Sequence, residues 1–266
     1  MSRFDGRVVL VTGSTGMAAS AARALAAEGA TLFVTSRTPG HAEALGEELG
    51  ASWRAADLSR ERDADAAVAE CVKRHGRLDA LYDVAGISGR RAGDGLLHEA
   101  TLEGWELVMA SNVTSLFLVA RAAVRQMLRQ ERDLDGSRGV LLAMSSALAR
   151  HTSATHFATH AYAASKGAIE SFTRAVAAAY APHGIRMNAI APSLVATPMS
   201  ERAQTDPAIL AYLREKQPLA GGPIVADAVA PVALHLLSRE SRMVTGQVVA
   251  VDAGWSVSEP GSPPAP

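Results

Sequence analysis

The sequence predicts an α/β protein: one domain on a doubly wound parallel sheet of about seven strands, with helices on both faces. Three observations lead there. Short apolar, β-branched runs alternate with alanine-rich stretches of helical pattern along nearly the whole chain. The strand runs are continuously apolar, as strands buried on both faces must be. At 266 residues, with no internal repeat and no Pro/Gly-rich linker, the chain fits a single domain with an ample core.

Taken in order, RVVLVTG (7–13) is a strand running into a turn, and MAASAARALAAEG (17–29) is a helix ending on a glycine that suits a C-terminal cap. TLFVTSR (31–37) is the second strand and HAEALGEELG (41–50) the next helix. WRAADL (53–58), LDALYDVAG (78–86), GVLLAMSS (139–146), IRMNAIAP (185–192) and GQVVAVDAG (246–254) read as five further strands, with helices between most of them. The single cysteine, Cys71, lies in the helical pattern AAVAECVKRHG and reads as a small buried packing residue, not a reactive thiol. The domain is expected to span 1–256. The proline-rich end SEPGSPPAP, low in apolar residues, makes 257–266 a flexible tail.

Charge narrows the partners. With 26 basic and 27 acidic residues the formal net charge is −1, which speaks against a nucleic-acid or anionic-membrane partner. The arginines are scattered, with only short pairs such as Arg90-Arg91. The chain opens MSRFDG and enters a strand at Arg7, leaving no room for a signal peptide, and no apolar run reaches about 18 residues. The expectation is a soluble cytoplasmic protein.

Chemistry enters with VVLVTGSTGMAAS. A strand that runs through a glycine turn into a helix aims backbone N–H groups and a helix N-terminus at a phosphate, and here it is the first βα turn of a long alternating chain. At the end of the second strand stands TSR. An acidic residue there would bind ribose hydroxyls, whereas an arginine accommodates a 2′-phosphate, so Ser36 and Arg37 lean toward NADP(H) over NAD(H). A solvated arginine at a strand end is the plainer alternative. In HAYAASKGAI, Tyr162 and Lys166 are four apart, hence on one helix face one turn from each other. An ammonium beside a phenol stabilises the phenolate and lowers a pKa of about 10 toward the range in which it can cycle protons.

In order along the chain, TGSTG, DL, DVAG, the mid-helix Asn112, Ser146, YAASK and IAPSLVATPM resemble the short-chain dehydrogenase/reductases, from about Phe4 to about Trp255. The resemblance implies a Rossmann-like domain in which Tyr162 is the general acid/base, and Lys166 tunes it while holding the nicotinamide ribose. It also implies that Ser146 hydrogen-bonds the substrate oxygen and that Asn112 holds a proton-supplying water chain. It assigns cofactor contacts to Gly13, Ser14, Thr15, Gly16 and Met17, to Ser36 and Arg37, to Asp57 and Leu58, and to Ala85 and Gly86. Pro192, Val195 and Thr197 join them, the last on the nicotinamide carboxamide, and the polar, proline-bounded stretch to about Ile224 is a mobile lid over the substrate. It implies a homo-oligomer, tetramer or dimer, for which the small-residue faces of helices 113–130 and 161–181 are suited.

Three departures from that pattern stand out. Only Ser14 and Thr15 separate the first two glycines, one residue fewer than usual, and Ala18 takes the third glycine position. Asp83-Val84-Ala85-Gly86 replaces Asn-Asn-Ala-Gly. Ser146 and Tyr162 are 16 apart where about 13 is usual. The intervening ARHTSATHFATHAY carries His151, His156 and His160, but their irregular spacing and the lack of a cysteine or carboxylate ligand favour a longer pocket wall over a metal site, so no metal is expected.

The expected function is NADP(H)-dependent interconversion of a small-molecule ketone and a secondary alcohol by hydride transfer. The alternatives are a cofactor-assisted isomerase or dehydratase, and a dinucleotide-binding sensor or scaffold without turnover. The short glycine loop is the sensor reading's only support, and the Asn/Ser/Tyr/Lys set speaks against it.

Overall fold

The computed structural model describes residues 2–259; residues 260–266 of the expected tail lie outside the described residues. Seven parallel strands form one sheet in the order β3-β2-β1-β4-β5-β6-β9. They are β1 (Val8–Thr12), β2 (Thr31–Ser36), β3 (Ser52–Ala55), β4 (Ala80–Asp83), β5 (Gly139–Met144), β6 (Ile185–Pro192) and β9 (Val248–Val251). The sheet reverses direction of growth between β1 and β4, where Thr12 stands level with Asp83. Ligand crevices of open α/β sheets lie outside the strand ends at such a reversal.

Helices α1 (Gly16–Ala27), α2 (Pro39–Leu49) and α9 (Ala230–Leu237) cover one face; α3 (Glu61–His75), α5 (Ser115–Leu128) and α6 (His160–Tyr180) cover the other, with α4 (Leu102–Met109) packed on α6. The sheet's side chains divide accordingly. Val9, Val11, Val34 and Leu142 pack with Leu25 and Leu234 on the first face, while Leu10, Phe33, Leu81 and Leu141 pack with Val68, Val119 and Ile169 on the second. Cys71 is fully buried in that second layer, and burial pushes its thiol up to about 12, which keeps it an inert packing group.

Two expectations need correction. The strands of the first half are shorter than their apolar runs: β3 stops at Ala55, so Asp57 and Leu58 lie beyond it in the turn before α3. The second concerns apolar length. Leu102–Leu128 is one continuous helical run, long and apolar enough by length and composition to cross a membrane, with a π-helical turn at Ala110–Thr114 joining α4 to α5. More than half of its most apolar stretch is buried, and Leu116, Val119, Ala123 and Met127 fill the core beneath the sheet. It is a core helix of this fold.

After β6 the chain makes a two-stranded parallel ladder, β7 (Val195–Ala196) with β8 (Ile224–Val225), enclosing two short helices, α7 (Glu201–Thr205) and α8 (Pro207–Lys216). The expected polar lid is therefore apolar beneath. Ala203, Ile209 and Leu213 are buried against Ala147 and Trp255. Ser258, in the expected tail, accepts a hydrogen bond from Lys216 Nζ at 2.6 Å through its carbonyl.

Candidate functional site

The site is built at the C-terminal ends of β1, β4, β5 and β6. Thr12, the last residue of β1, donates its hydroxyl proton to Asp83 Oδ1 at 2.7 Å and accepts from the N–H groups of Val84 and Ala85 at 3.0 and 3.1 Å. One threonine thus shapes the turn after β4 that presents Ala85 and Gly86. A methyl group built on Gly86 would come within 2.9 Å of Asn112 Oδ1, so glycine lets the turn lie against the helix.

The shortened glycine loop closes by starting α1 at once. Gly16 is the first helical residue and takes a positive φ of 53°, a conformation costly for other L-residues. Among the described residues Thr15 makes no side-chain cap; Ala18 N donates to the Thr15 carbonyl at 3.2 Å, which leaves the N–H groups of Gly16 and Met17 open. Thr197 Cγ2 would be 2.9 Å from a Cβ on Gly16, bringing the segment after β7 onto the glycine turn. Open helix N–H groups and two glycines at positive φ fit a dinucleotide phosphate.

The π-helical turn carries Asn112 inward. Its Oδ1 accepts from Ile87 N at 2.8 Å, and its Nδ2 donates to Ile87 O and Ser165 Oγ, both at 3.0 Å. The next turn of α6 carries Lys166, 3% exposed, whose Nζ donates to Met144 O at 2.6 Å and sits 5.5 Å from the centre of the Tyr162 ring. Burial holds the Lys166 ammonium down to about 8, with the Asp83 charge opposing the shift. Tyr162 is raised by burial, and Ser146 beside its hydroxyl pulls the other way. Ser146 begins a short 3₁₀ turn, Ala147–Ala149, and accepts from Leu148 N at 3.2 Å.

Ser146, Tyr162 and Lys166 open on a cavity of about 730 Å³, whereas Asn112 is fully buried and does not line it. Met17, Gly86, Ser146, Tyr162, Lys166 and Thr197 line it, with Pro192 and Val195 beside them. The outer predicted residues lie apart from this cavity. Arg37 is exposed at the end of β2 and Ser36 half-buried; Asp57 accepts from Ser59 N and Oγ and faces Arg60 at 3.4 Å. Leu58 is buried in the core with Val68, so its side chain packs there. Gly13, Ser14 and Thr15 belong to the turn before α1.

The long segment between Ser146 and Tyr162 does border the cavity, through Leu148, Phe157 and Thr159. Its histidines do not line it. His151 and His160 are exposed, and the His156 ring packs on Tyr212 at 4.8 Å. Phe157 and Tyr212 stand 5.9 and 5.5 Å from the Trp255 ring, an aromatic cluster that fastens the segment to the lid helices. Among the described residues no three His, Cys, Asp or Glu side chains converge as metal ligands would.

Sequence reasoning missed several residues. Asp94, in the loop before α4, accepts hydrogen bonds from Ala161 N and Tyr162 N at 3.0 and 2.9 Å and so caps α6 from 67 residues away. Nothing local signals it. Glu170, on the Lys166 face of α6, is buried and held by Arg150 at 2.6 Å and Ser145 at 3.2 Å, which ties the strand end bearing Ser146 to α6. A carboxylate four residues after Lys166 on a core-facing stripe was the available signal.

Comparison with known proteins adds to this geometry. A family model described as enoyl-(acyl carrier protein) reductase matches residues 11–256. Momilactone A synthase of Oryza sativa subsp. japonica is 35% identical over 262 residues, covering 96% of this chain and 92% of the relative. A short-chain type dehydrogenase/reductase from Mycobacterium ulcerans superposes with a TM-score of 0.88 at 27% identity, over 97% of this chain and 92% of that one. A 3-ketoacyl-(acyl-carrier-protein) reductase from Brucella melitensis, solved with NADH, gives 0.83 at 29% identity, over 95% and 99%.

Proposed function

The chain belongs to the short-chain dehydrogenase/reductase family, and we propose that it interconverts a ketone and a secondary alcohol with a nicotinamide dinucleotide, NADP(H) in preference to NAD(H). One observation carries the reading: Ser146, Tyr162 and Lys166 share a wall of one cavity, with Lys166 Nζ 5.5 Å from the Tyr162 ring.

When bound, the cofactor gives or takes hydride at its nicotinamide ring. In the reductive direction Tyr162 gives its hydroxyl proton to the substrate oxygen as negative charge develops there, and Ser146 donates a hydrogen bond to the same oxygen. Lys166, charged, stabilises the resulting phenolate. Its buried ammonium, held near 8, keeps a large charged fraction at neutral pH. Asn112 fixes the Ile87 turn and Ser165 behind the pair, where protons would be resupplied. The preference for NADP(H) is supported by Arg37 and by the absence of a carboxylate among Ser36, Arg37 and Thr38.

The test follows NADPH and NADH oxidation over a panel of ketones, with Tyr162→Phe beside the wild type. The variant should bind cofactor, followed by fluorescence, yet lose nearly all turnover, because phenylalanine fills the same space and has no proton to give. Retention of about a tenth of the wild-type rate or more would remove Tyr162 as the acid/base.

A further inference from the structure

The cavity is apolar within and cationic at its rim. Leu148, Phe157, Leu194 and Trp255 line its interior beyond Tyr162, while Met199, 53% exposed, and the exposed Arg90, Arg91 and Arg202 also belong to its lining. The arginines come from separate segments: Arg90 and Arg91 from a short 3₁₀ turn before α4, and Arg202 from α7. Arg90 Nη2 and Arg202 Nη2 donate to one acceptor, the His156 carbonyl oxygen, at 3.4 and 3.2 Å. Two guanidinium groups therefore meet across a single neutral oxygen. Burial, and then the Arg202 charge, lower the pKa of Arg90, while the Asp94 charge opposes them.

The neighbouring carboxylates are largely committed. Asp94 accepts from the N–H groups of Ala161 and Tyr162, and Asp206 caps α8 through Ala208 N and Ile209 N while facing Arg202 at 3.7 Å. Glu201 is the only acidic residue on the cavity lining among the described residues, against three arginines. Like charges brought this close repel, and an anion between them relieves the repulsion with charge-assisted, forked hydrogen bonds.

We propose that this cavity takes an apolar carbonyl or alcohol compound bearing one anionic group, a carboxylate or a phosphate ester, which Arg90 and Arg202 hold at the rim while the apolar body lies along Phe157 and Trp255. The proposal rests on the oxidoreductase reading above for its reacting carbonyl, but the anion site is testable without turnover.

Trp255 is the one tryptophan on the cavity lining among the described residues, so its fluorescence reports occupancy. The full chain is titrated with decanoate, decyl phosphate and decanol, and Trp255→Phe identifies the signal. One or both anions should bind at least tenfold tighter than decanol, the two arms telling carboxylate from phosphate, and raised salt should weaken the anions alone. Arg90→Ala/Arg202→Ala should abolish the preference, and Arg90→Lys/Arg202→Lys should keep part of it. Decanol binding as tightly as both anions overturns the proposal. So does an equal loss for all three ligands in the double alanine variant, which would make the arginines mere ties for the His156 loop. Bound anions with no ketone or alcohol turned over by either cofactor would refute the oxidoreductase reading and leave the anion site standing. Turnover of neutral ketones with no gain from an added carboxylate or phosphate, and no anion preference in binding, would do the reverse.

Discussion

Asp83 is a carboxylate placed where only 3% of it meets solvent, with the Thr12 hydroxyl as its hydrogen-bond donor. Burial pushes its pKa from 3.8 up to about 6, against the opposing pull of Thr12 and the Lys166 charge. Between those values the folded protein keeps a proton that the unfolded chain has released. Stability therefore falls as pH rises through that window, and the full cost persists above it, on the order of 3 kcal/mol at 1.36 kcal/mol per unit. Asp83→Asn removes the titration while its amide oxygen still accepts from Thr12. Its unfolding free energy should match the wild type near pH 4 and exceed it at pH 7, by urea denaturation; a gap that stays constant from pH 4 to 7 would show that Asp83 is not the titrating group. Removing that charge also leaves Lys166 with less support, so its pKa should drop further below about 8. Arg37 makes a second residue-level prediction. A guanidinium on a 2′-phosphate is worth about 1.5–3 kcal/mol, so Arg37→Ala should weaken NADPH at least tenfold more than NADH in fluorescence titrations. Equal weakening of both would make the arginine positional, and tighter NADH binding by the wild type would reverse the preference.

At the scale of elements, α6 decides the chemistry, because its first turns carry both Tyr162 and Lys166. Thr159 precedes it without a side-chain cap among the described residues, and the Asp94 carboxylate supplies the missing acceptors for two N–H groups, one of them that of Tyr162. Asp94→Ala should destabilise the protein by about 1–2 kcal/mol, the usual value of a cap, and should lower kcat as the first turn frays. Asp94→Asn, with one amide oxygen for two donors, should fall between. Urea midpoints and kcat moving together across the pair test the link; an unchanged kcat in Asp94→Ala would separate cap from catalysis. The same helix explains what the sequence made legible. Tyr162 and Lys166 meet through local periodicity, which is written in the order of residues. β6 is bounded as expected because its mostly apolar run is punctuated at both ends, by Gly184 before it and Pro192 as its last residue. Asp94, Arg90 and Arg202 reach their partners across loops, where no periodicity carries the information. The lid misled for a different reason: its buried Ala203, Ile209 and Leu213 are diluted by charged neighbours on helices too short to display a stripe.

At the scale of the whole molecule, the long helix built from α4 and α5 presents two unlike sides. One fills the core, and the other leaves Trp105, Phe117 and Leu128 at 44%, 43% and 40% exposure, with Leu102 and Leu107 nearby in sequence. Phe117 meets Phe172 of α6 edge-on at 6.4 Å, and the Arg121 guanidinium lies 5.2 Å above its ring. Aromatic side chains gathered across adjacent helices, rimmed by a charge, suit burial against another protein surface. The homo-oligomer that the family resemblance implies would bury this surface against a second copy of the chain, since two-fold symmetry lets one helix pair cover its own equivalent. The wild type should then run as a dimer or tetramer by light scattering after size exclusion. Phe117→Glu should reduce that mass toward one chain of 27.7 kDa. The substitution sits on a side chain already partly in water, so the far-ultraviolet circular dichroism and the urea midpoint extrapolated to low protein concentration should change little. A wild type that is monomeric at micromolar concentration, or a Phe117→Glu variant that keeps the wild-type mass, would place the contact elsewhere or remove it.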